Sequence, residues 1–215
     1  MVVGLMSLNG VTVGAVANRT ACFDENGKTA KKFDGVLTTA GCEKAASFVK
    51  FCDAFNIPVV SFTNVSGYAA TMEEEKTIAK AVAKMTYSFA AADVAKINVI
   101  VGNAYGSAYI AMNSKNIGAD LVFALPQAKV GAMDAKVASQ VLFEEEISDA
   151  DDKAAALDAK AKEFEETNGS VEAAAKRGYI DNIVEGESVR KHLIYSVEML
   201  YSKRETTPNK KHGTV

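Results

Sequence analysis

Short apolar runs rich in β-branched residues alternate along the chain with longer segments in which apolar residues recur at helical spacing. The runs are predicted to be strands, at residues 11–18, 59–64, 97–101, 121–125 and 130–133. Amphipathic helices are predicted at residues 43–55 and 73–92, and the first six residues resemble the edge of a further strand. Because helices between strands allow a parallel sheet and then cover it, this order predicts an α/β fold with mostly parallel strands.

Composition excludes several classes of function. The chain has 215 residues, of which 48% are hydrophobic, which is enough for one large domain with a sizeable core. The net charge of −3 does not support nucleic-acid binding. No apolar run approaches the ~20 residues that span a bilayer. No charged leader precedes an apolar segment at the start of the sequence, so a secretory signal is not predicted.

Cysteines and histidines are too few for most metal or triad chemistry. Cys22, Cys42 and Cys52 form an odd, sparse set, which favours reduced thiols in the cytoplasm over disulfides or a zinc site. The two histidines, His192 and His212, lie in a predicted helix and in a polar tail. A Ser–His–Asp triad and a histidine metal site are therefore not expected.

The segment at 144–166 differs from the rest because it is acidic and rich in alanine. Its carboxylates could bind a metal, but the helix-forming context favours a solvated helical face, and no metal site is predicted. We expect residues 1–143 to form the core of the domain. Residues 144–215 are expected to form a helical extension of the same domain.

Capping residues divide this extension. Ser170 and Ser188 are placed to cap two further helices. A short strand is predicted at 180–184, and residues 204–215 are predicted to form a polar, extended tail.

The strand at 97–101 is followed by small residues and then by a helix predicted at 107–114. A helix that starts in this way leaves main-chain N–H groups without acceptors, next to the positive end of the helix dipole. Gly106, Ser107 and Ala108 lack bulk, so a substrate oxygen on which negative charge develops could approach these N–H groups. The alternative is that small residues here only let the helix pack closely on the sheet.

Six sequence words match a single family in order and spacing. They are GAVAN at 14–18, AASFVKFCDAFNIPVV at 45–60, AYGSAYIAM at 104–112, KNIGAD at 115–120, AAKRGYID at 174–181 and KHG at 211–213. The corresponding family patterns include F-C-D-A-F-N-I-P-L-V, A-Y-G-G-A-Y-x-x-M and A-A-x-R-G-Y-I-D. By these words the chain resembles the biotin-dependent acyl-CoA carboxyltransferases. That family includes the β subunits of propionyl-CoA and related carboxylases and the α subunits of sodium-pumping decarboxylases.

The resemblance implies a crotonase-like fold, a spiral of ββα units with a helical C-terminal extension. In the family the full unit has two such domains: the N-terminal domain mainly binds acyl-CoA and the C-terminal domain mainly binds biotin. The active site lies between the N-domain of one protomer and the C-domain of another. The chain resembles the C-domain alone, so its N-half partner is expected to be a separate polypeptide or the remainder of a longer chain.

The resemblance also implies the chemistry. Carboxyl transfer between carboxybiotin and an acyl-CoA develops negative charge on the thioester oxygen and on the biotin ureido oxygen. On the biotin side, the family's main-chain donors correspond to Ser107 and Ala108, next to Gly106. The residues expected to border the biotin are Gly67, Tyr68, Tyr105 and Tyr109. Biotin is expected on a separate biotin carboxyl carrier protein, with acyl-CoA as substrate and with the chain in an oligomer.

Two departures from the family pattern lie beside this expected site. The family's D-V-P-G-F-x-P-G becomes NVSGYAA at 64–70, which lacks both prolines, and its Y-G-G-A has a serine at position 107. Three alternatives therefore stay open beside carboxylation. They are a decarboxylase subunit that uses the same site in the reverse direction, a scaffold subunit without turnover, and a crotonase-type hydrolase or isomerase.

Overall fold

The computed structural model of the protein describes residues 1–33 and 35–205. Within them the strands are β1 (Val2–Leu8), β2 (Val11–Ala17), β3 (Ala21–Phe23), β4 (Thr29–Lys32), β5 (Val36–Leu37), β6 (Val59–Val65), β7 (Gly67–Tyr68), β8 (Lys96–Tyr105), β9 (Leu121–Ala124), β10 (Lys129–Gly131) and β11 (Asn182–Ile183). The α-helices are α1 (Thr39–Ala54), α2 (Met72–Glu75), α3 (Ile78–Ala91), α4 (Gly106–Ala111), α5 (Ala135–Leu142), α6 (Glu144–Ser148), α7 (Lys153–Phe164), α8 (Val171–Lys176) and α9 (Val189–Met199). Strands and helices alternate as predicted, and β1 is the edge strand expected at the start.

The main sheet has the strand order β1-β2-β6-β8-β9-β11, and β10 also pairs with β8. β1 and β2 form an antiparallel hairpin, whereas the other pairs in this sheet are parallel. The prediction of a mostly parallel α/β sheet is confirmed. Because parallel strands end at the same edge, the segments that follow β6, β8 and β10 come together there, where ligands commonly bind in such sheets.

Helices cover both faces of the main sheet. α1, α3, α4 and α8 pack on the face that includes Val59, and α9 packs on the face that includes Val60. These consecutive residues point to opposite faces because side chains alternate along a strand. His192 of α9 packs edge-on against Phe123, with the ring centroids 5.8 Å apart, so it contributes to packing.

A hydrogen-bonded cluster joins the start of α1 to the turn between α2 and α3. The Glu74 carboxylate accepts from the N–H and the hydroxyl of Thr39, both at 2.6 Å, and the hydroxyls of Thr39 and Thr77 lie 2.9 Å apart. The bonds from Thr39 hold the pKa of Glu74 below its ordinary value. Two predicted boundaries are wrong here. The helix predicted at 43–55 begins earlier, where the Thr38 side chain accepts the Gly41 N–H at 3.2 Å and Glu74 accepts the Thr39 N–H. The helix predicted at 73–92 is interrupted between α2 and α3.

The capping predictions in the extension have mixed outcomes. The acidic segment forms two helices, α6 and α7. Asp152 caps the second of them, because its side chain accepts two N–H groups of α7 at 3.1 Å. Ser170 caps α8 as predicted, accepting an N–H at 3.2 Å. The prediction for Ser188 is wrong: its side chain makes no capping bond, because a 3₁₀ turn at Gly186–Ser188 leads directly into α9. The strand predicted at 180–184 is the shorter β11.

Among the described residues, no helix combines the length and the apolar character needed to cross a lipid bilayer. Within the same residues, no three His, Cys, Asp or Glu side chains lie together as a metal site would require. Most of the predicted polar tail, with the KHG word and His212, lies outside the described residues.

Gly14 in β2 allows α1 to lie close to the sheet. A Cβ at this position would be 2.5 Å from the Cys52 sulfur and 3.1 Å from the ring of Phe48. Gly4 in the neighbouring strand β1 is different, since a Cβ there would have no atom within 4 Å. The two glycines are therefore a matched pair for testing the packing of α1.

We expect Gly14→Ala to lower the free energy of unfolding by about 1–3 kcal/mol, because the added methyl group overpacks the contact with α1. Gly4→Ala should change it by less than about 0.5 kcal/mol. Urea unfolding measures both variants. Equal stabilities would show that α1 does not lie this close to β2.

Candidate active site

Asn64 holds β8 at an irregularity in the sheet. The register between β6 and β8 shifts between Thr63 and Val65, so β8 carries additional residues there. Asn64 Oδ1 accepts the Asn103 N–H at 2.9 Å and replaces a strand-to-strand bond. The Asn64 main chain is held in turn by Asn18, whose side-chain oxygen accepts the Asn64 N–H at 2.7 Å.

Gly102 provides the space for this contact. A Cβ at position 102 would be 2.6 Å from Asn64 Oδ1 and 2.8 Å from Asn64 Cγ. The amide of Asn64 cannot move aside without losing its bond to Asn103. The course of β8 just before its end is therefore fixed by one side chain and one glycine.

β8 continues directly into α4 through Gly106. This residue has a φ of +60°, which glycine adopts without steric cost, and a Cβ there would lie 3.0 Å from the carbonyl oxygen of Ala132. Ser107 is the next residue of α4 and is not among the residues with positive φ. The position that requires glycine is therefore Gly106, and a serine at 107 is compatible with the backbone.

The start of α4 presents main-chain donors. The first N–H groups of a helix have no acceptor within the helix, and Tyr105, which precedes it, makes no side-chain capping bond. Within residues 1–33 and 35–205, no acceptor outside the helix receives the N–H of Ser107 or of Ala108. Two adjacent N–H groups are thus available to an oxygen atom of a ligand.

Tyr68 reaches this turn from β7. Its hydroxyl donates to Ser107 Oγ at 3.2 Å. β7 is positioned by its parallel pairing with β5. The absence of the family's prolines does not prevent the aromatic ring from reaching the site.

A cleft of about 450 Å³ opens beside Ser107. Its walls come from α4, from the 3₁₀ turn at Lys115–Ile117, from β10 and the residue after it, and from the segment that follows α8. The lining residues are Gly106, Ser107, Tyr109, Ile110, Asn116, Val130, Gly131, Ala132, Arg177 and Tyr179. Arg177 supplies a positive charge and is oriented by Asn168, to whose side-chain oxygen it donates at 2.7 Å and to whose carbonyl it donates at 3.1 Å. The cleft is mostly apolar with a few polar groups, as ligand sites commonly are.

Tyr105 and Tyr109 flank the turn and are buried, with 7% and 5% of their surface exposed. Burial raises the pKa of each phenol to about 12, so both are neutral near pH 7. Within the described part of the chain the Tyr109 hydroxyl has no hydrogen-bond partner. These tyrosines shape the site and are poorly suited to act as bases.

The sequence-predicted site residues therefore fall into two groups. The residues that line the cleft are Gly106, Ser107 and Tyr109. The residues that lie beside it are Gly67, Tyr68, Tyr105 and Ala108. The structure brings all of them to one edge of the sheet.

Sequence reasoning missed Asn64, Arg177 and Tyr179 as parts of the site. Arg177 and Tyr179 belong to the word AAKRGYID, so a signal was present, but nothing in the sequence places that word beside the start of α4. Asn64 is the first letter of the departing loop NVSGYAA. Its role depends on a contact with β8 that only the folded chain reveals.

A family model of the carboxyl transferase domain matches residues 1–215. The chain belongs to the carboxyl transferase family. It is 38% identical to the carboxyltransferase subunit of propionyl-CoA carboxylase from Haloferax mediterranei, over 100% of this chain and 40% of that protein. It is 35% identical to the alpha subunit of methylmalonyl-CoA decarboxylase from Propionigenium modestum, over 97% of this chain and 38% of that protein.

The fold of the carboxyl transferase family is also found by comparison with solved structures. The crystal structure of transcarboxylase 12S, described as a hexamer with methylmalonyl-coenzyme A and methylmalonic acid bound, superposes with a TM-score of 0.88 and 36% identity. The match covers 98% of this chain and 39% of that one. The expected crotonase-like fold is confirmed. The chain spans about 40% of the length of these relatives.

We expect Gly102→Ala to lower the free energy of unfolding by about 1–3 kcal/mol, because its methyl group would collide with the Asn64 amide. Asn64→Ala should cost about 1–2 kcal/mol, because the Asn103 N–H loses its acceptor. The double variant has no collision, so its loss should fall short of the sum by about 0.5 kcal/mol or more. Urea unfolding of these proteins measures the difference.

The matched control is Gly186→Ala, since a Cβ at 186 would meet no atom within 4 Å. It should leave the stability nearly unchanged. Additive losses at positions 64 and 102 would contradict the contact described above.

Proposed function

We propose that the chain takes part in the transfer of a carboxyl group between carboxybiotin and an acyl-CoA, and that it forms the biotin side of the active site. One observation carries this proposal: the adjacent main-chain N–H groups of Ser107 and Ala108 have no acceptor among the described residues and lie next to a cleft that Ser107 lines. Such donors are fixed in place and remain protonated, so they stabilise an oxygen on which negative charge develops. The ureido oxygen of biotin is an acceptor of this kind.

The side chains around the cleft support charge stabilisation more than acid–base catalysis. Among the described residues, its lining includes no histidine, carboxylate or thiol, and Tyr109 is neutral near pH 7. Carboxyl transfer does not require the chain to supply a general base if the developing charges are stabilised. This arrangement disfavours a hydrolase that acts by itself.

The shape and polarity of the cleft fit a small ureido ring. Biotin, when bound, supplies the nitrogen that carries the carboxyl group. Ile110, Val130 and Ala132 offer apolar walls for the ring, and Arg177 offers a positive charge for a carboxylate. Gly67, Tyr68, Tyr105 and Tyr109 would shape the same site from β7 and from both sides of the turn.

We further propose that the acyl-CoA side comes from a partner: an N-terminal-half carboxyltransferase subunit or domain, served by a biotin carboxyl carrier protein. The chain spans only about 40% of the length of its relatives, which supports a contribution from outside it. Exposed apolar residues on α5 support an oligomer, with Val137 48%, Val141 68% and Leu142 62% exposed. The three free cysteines support the cytoplasm as its compartment.

The direction of the reaction can be either carboxylation or decarboxylation. The chain is about equally similar to a propionyl-CoA carboxylase subunit and to a methylmalonyl-CoA decarboxylase subunit. A single set of oxyanion donors serves both directions of a reversible transfer. We therefore propose the shared half-reaction at biotin as the function of this chain.

The assay supplies labelled methylmalonyl-CoA and a biotinylated carrier protein, with and without the N-terminal half of a relative. We expect no transfer of label by the chain alone and transfer by the reconstituted complex. Transfer by the chain alone would remove the need for a partner. If a correctly assembled complex shows no transfer of label, the result would favour a scaffold subunit.

In the active complex, Ala108→Pro should lower the transfer rate by about 100-fold or more, because it removes one of the two oxyanion donors. The matched control is Lys153→Pro at the first position of α7, where proline is tolerated, and it should retain activity. Circular dichroism checks that both variants are folded. Full activity in folded Ala108→Pro would refute the donor assignment.

A further inference from the structure

A pair of hydroxyl groups lies at the rim of the cleft, beside the two main-chain donors. Tyr68 of β7 and Ser107 of α4 are joined by a hydrogen bond of 3.2 Å. Where the family patterns quoted above have a phenylalanine and a glycine, this chain has Tyr68 and Ser107. Two departures at distant points in the sequence each add one hydroxyl, and the fold places the two hydroxyls in contact.

The direction of the bond leaves one proton available. Tyr68 donates and Ser107 Oγ accepts, so the serine hydroxyl keeps its own O–H as a donor. No protein acceptor for this O–H is found within residues 1–33 and 35–205. Ser107 is exposed and lines the cleft, so the free donor is accessible to a ligand.

We propose that the Ser107 hydroxyl, polarised by Tyr68, is a third donor to the same ligand oxygen that the N–H groups of Ser107 and Ala108 bind. The inference rests on the proposed function and deepens it. A hydroxyl that accepts one hydrogen bond donates a stronger one. Ser107 is then a specificity-determining residue that favours ligands presenting a ureido or carbonyl oxygen, and Tyr68 is a positioning residue that acts through it.

Two ligands separate this role from general binding. Biotin presents a neutral ureido oxygen, whereas 2-iminobiotin presents an N–H-bearing nitrogen in its place and carries a positive charge near pH 7, so it can only donate there. The 215-residue chain is titrated with each ligand and followed by NMR. The wild-type chain should bind biotin more tightly than 2-iminobiotin. The three protein donors find an acceptor oxygen on biotin, whereas on 2-iminobiotin they face another N–H donor.

Ser107→Ala and Ser107→Gly should each weaken biotin binding by about three- to tenfold and leave 2-iminobiotin binding unchanged. Tyr68→Phe should weaken biotin binding by a smaller factor, and it should have no effect when Ser107→Ala is already present. The matched control is Tyr195→Phe, which removes an exposed phenol hydroxyl on α9, on the opposite face of the sheet. It should bind both ligands as the wild type does.

The outcomes distinguish the inference from the function on which it rests. Unchanged or tighter biotin binding by folded Ser107→Ala and Ser107→Gly overturns the third-donor role, while the main-chain donors stand. An equal loss for both ligands also overturns it, since that would indicate a loss of shape and not of a hydrogen bond. A wild-type chain with no preference for biotin over 2-iminobiotin overturns the proposed function, and the inference with it.

Discussion

The contact between Asn64 and β8 determines how the edge of the sheet is built. Asn64 replaces a missing strand-to-strand bond at the irregularity between β6 and β8, and Gly102 leaves room for it. A strand that departs from regular pairing needs a substitute for each buried N–H group that loses its partner. With this substitute in place, β8 reaches Gly106 in the orientation from which α4 can begin. The main-chain donors, the cleft and the reach of Tyr68 to Ser107 all depend on that starting point.

The candidate site is made largely from main-chain groups, so the proposed donors depend little on which side chains stand there. The N–H groups of Ser107 and Ala108 are present with every side chain except that of proline, which has no main-chain N–H. The demanding position is Gly106, where a positive φ and the nearby Ala132 carbonyl disfavour a side chain. Position 107 does not require glycine, and the chain carries a hydroxyl there that accepts a hydrogen bond from Tyr68.

The order of strands and helices could be predicted from the sequence because each element carries its own periodicity and bounds. The failures occurred at the bounds of elements, where a side chain from elsewhere or a local turn replaces the expected cap. Glu74 binds the first N–H of α1 and, with Thr77, interrupts the helical pattern that follows. Ser188 is a reasonable cap by its position, but the 3₁₀ turn before α9 leaves its side chain without that role. Boundaries depend on such contacts more than on propensity.

The sequence by itself determined the alternation of elements, the mostly parallel sheet and the set of residues around Gly106, because local periodicity and long matching words are visible in one dimension. Only the tertiary structure decided that Asn64, Arg177 and Tyr179 lie near that turn, because these residues are distant from it along the chain and the folded sheet brings them together. It also decided that the glycine requirement belongs to position 106 and that the hydroxyl at 107 has a partner. The physical reason is that these hydrogen bonds join residues that are distant in sequence. Such residues come into contact only when the chain folds.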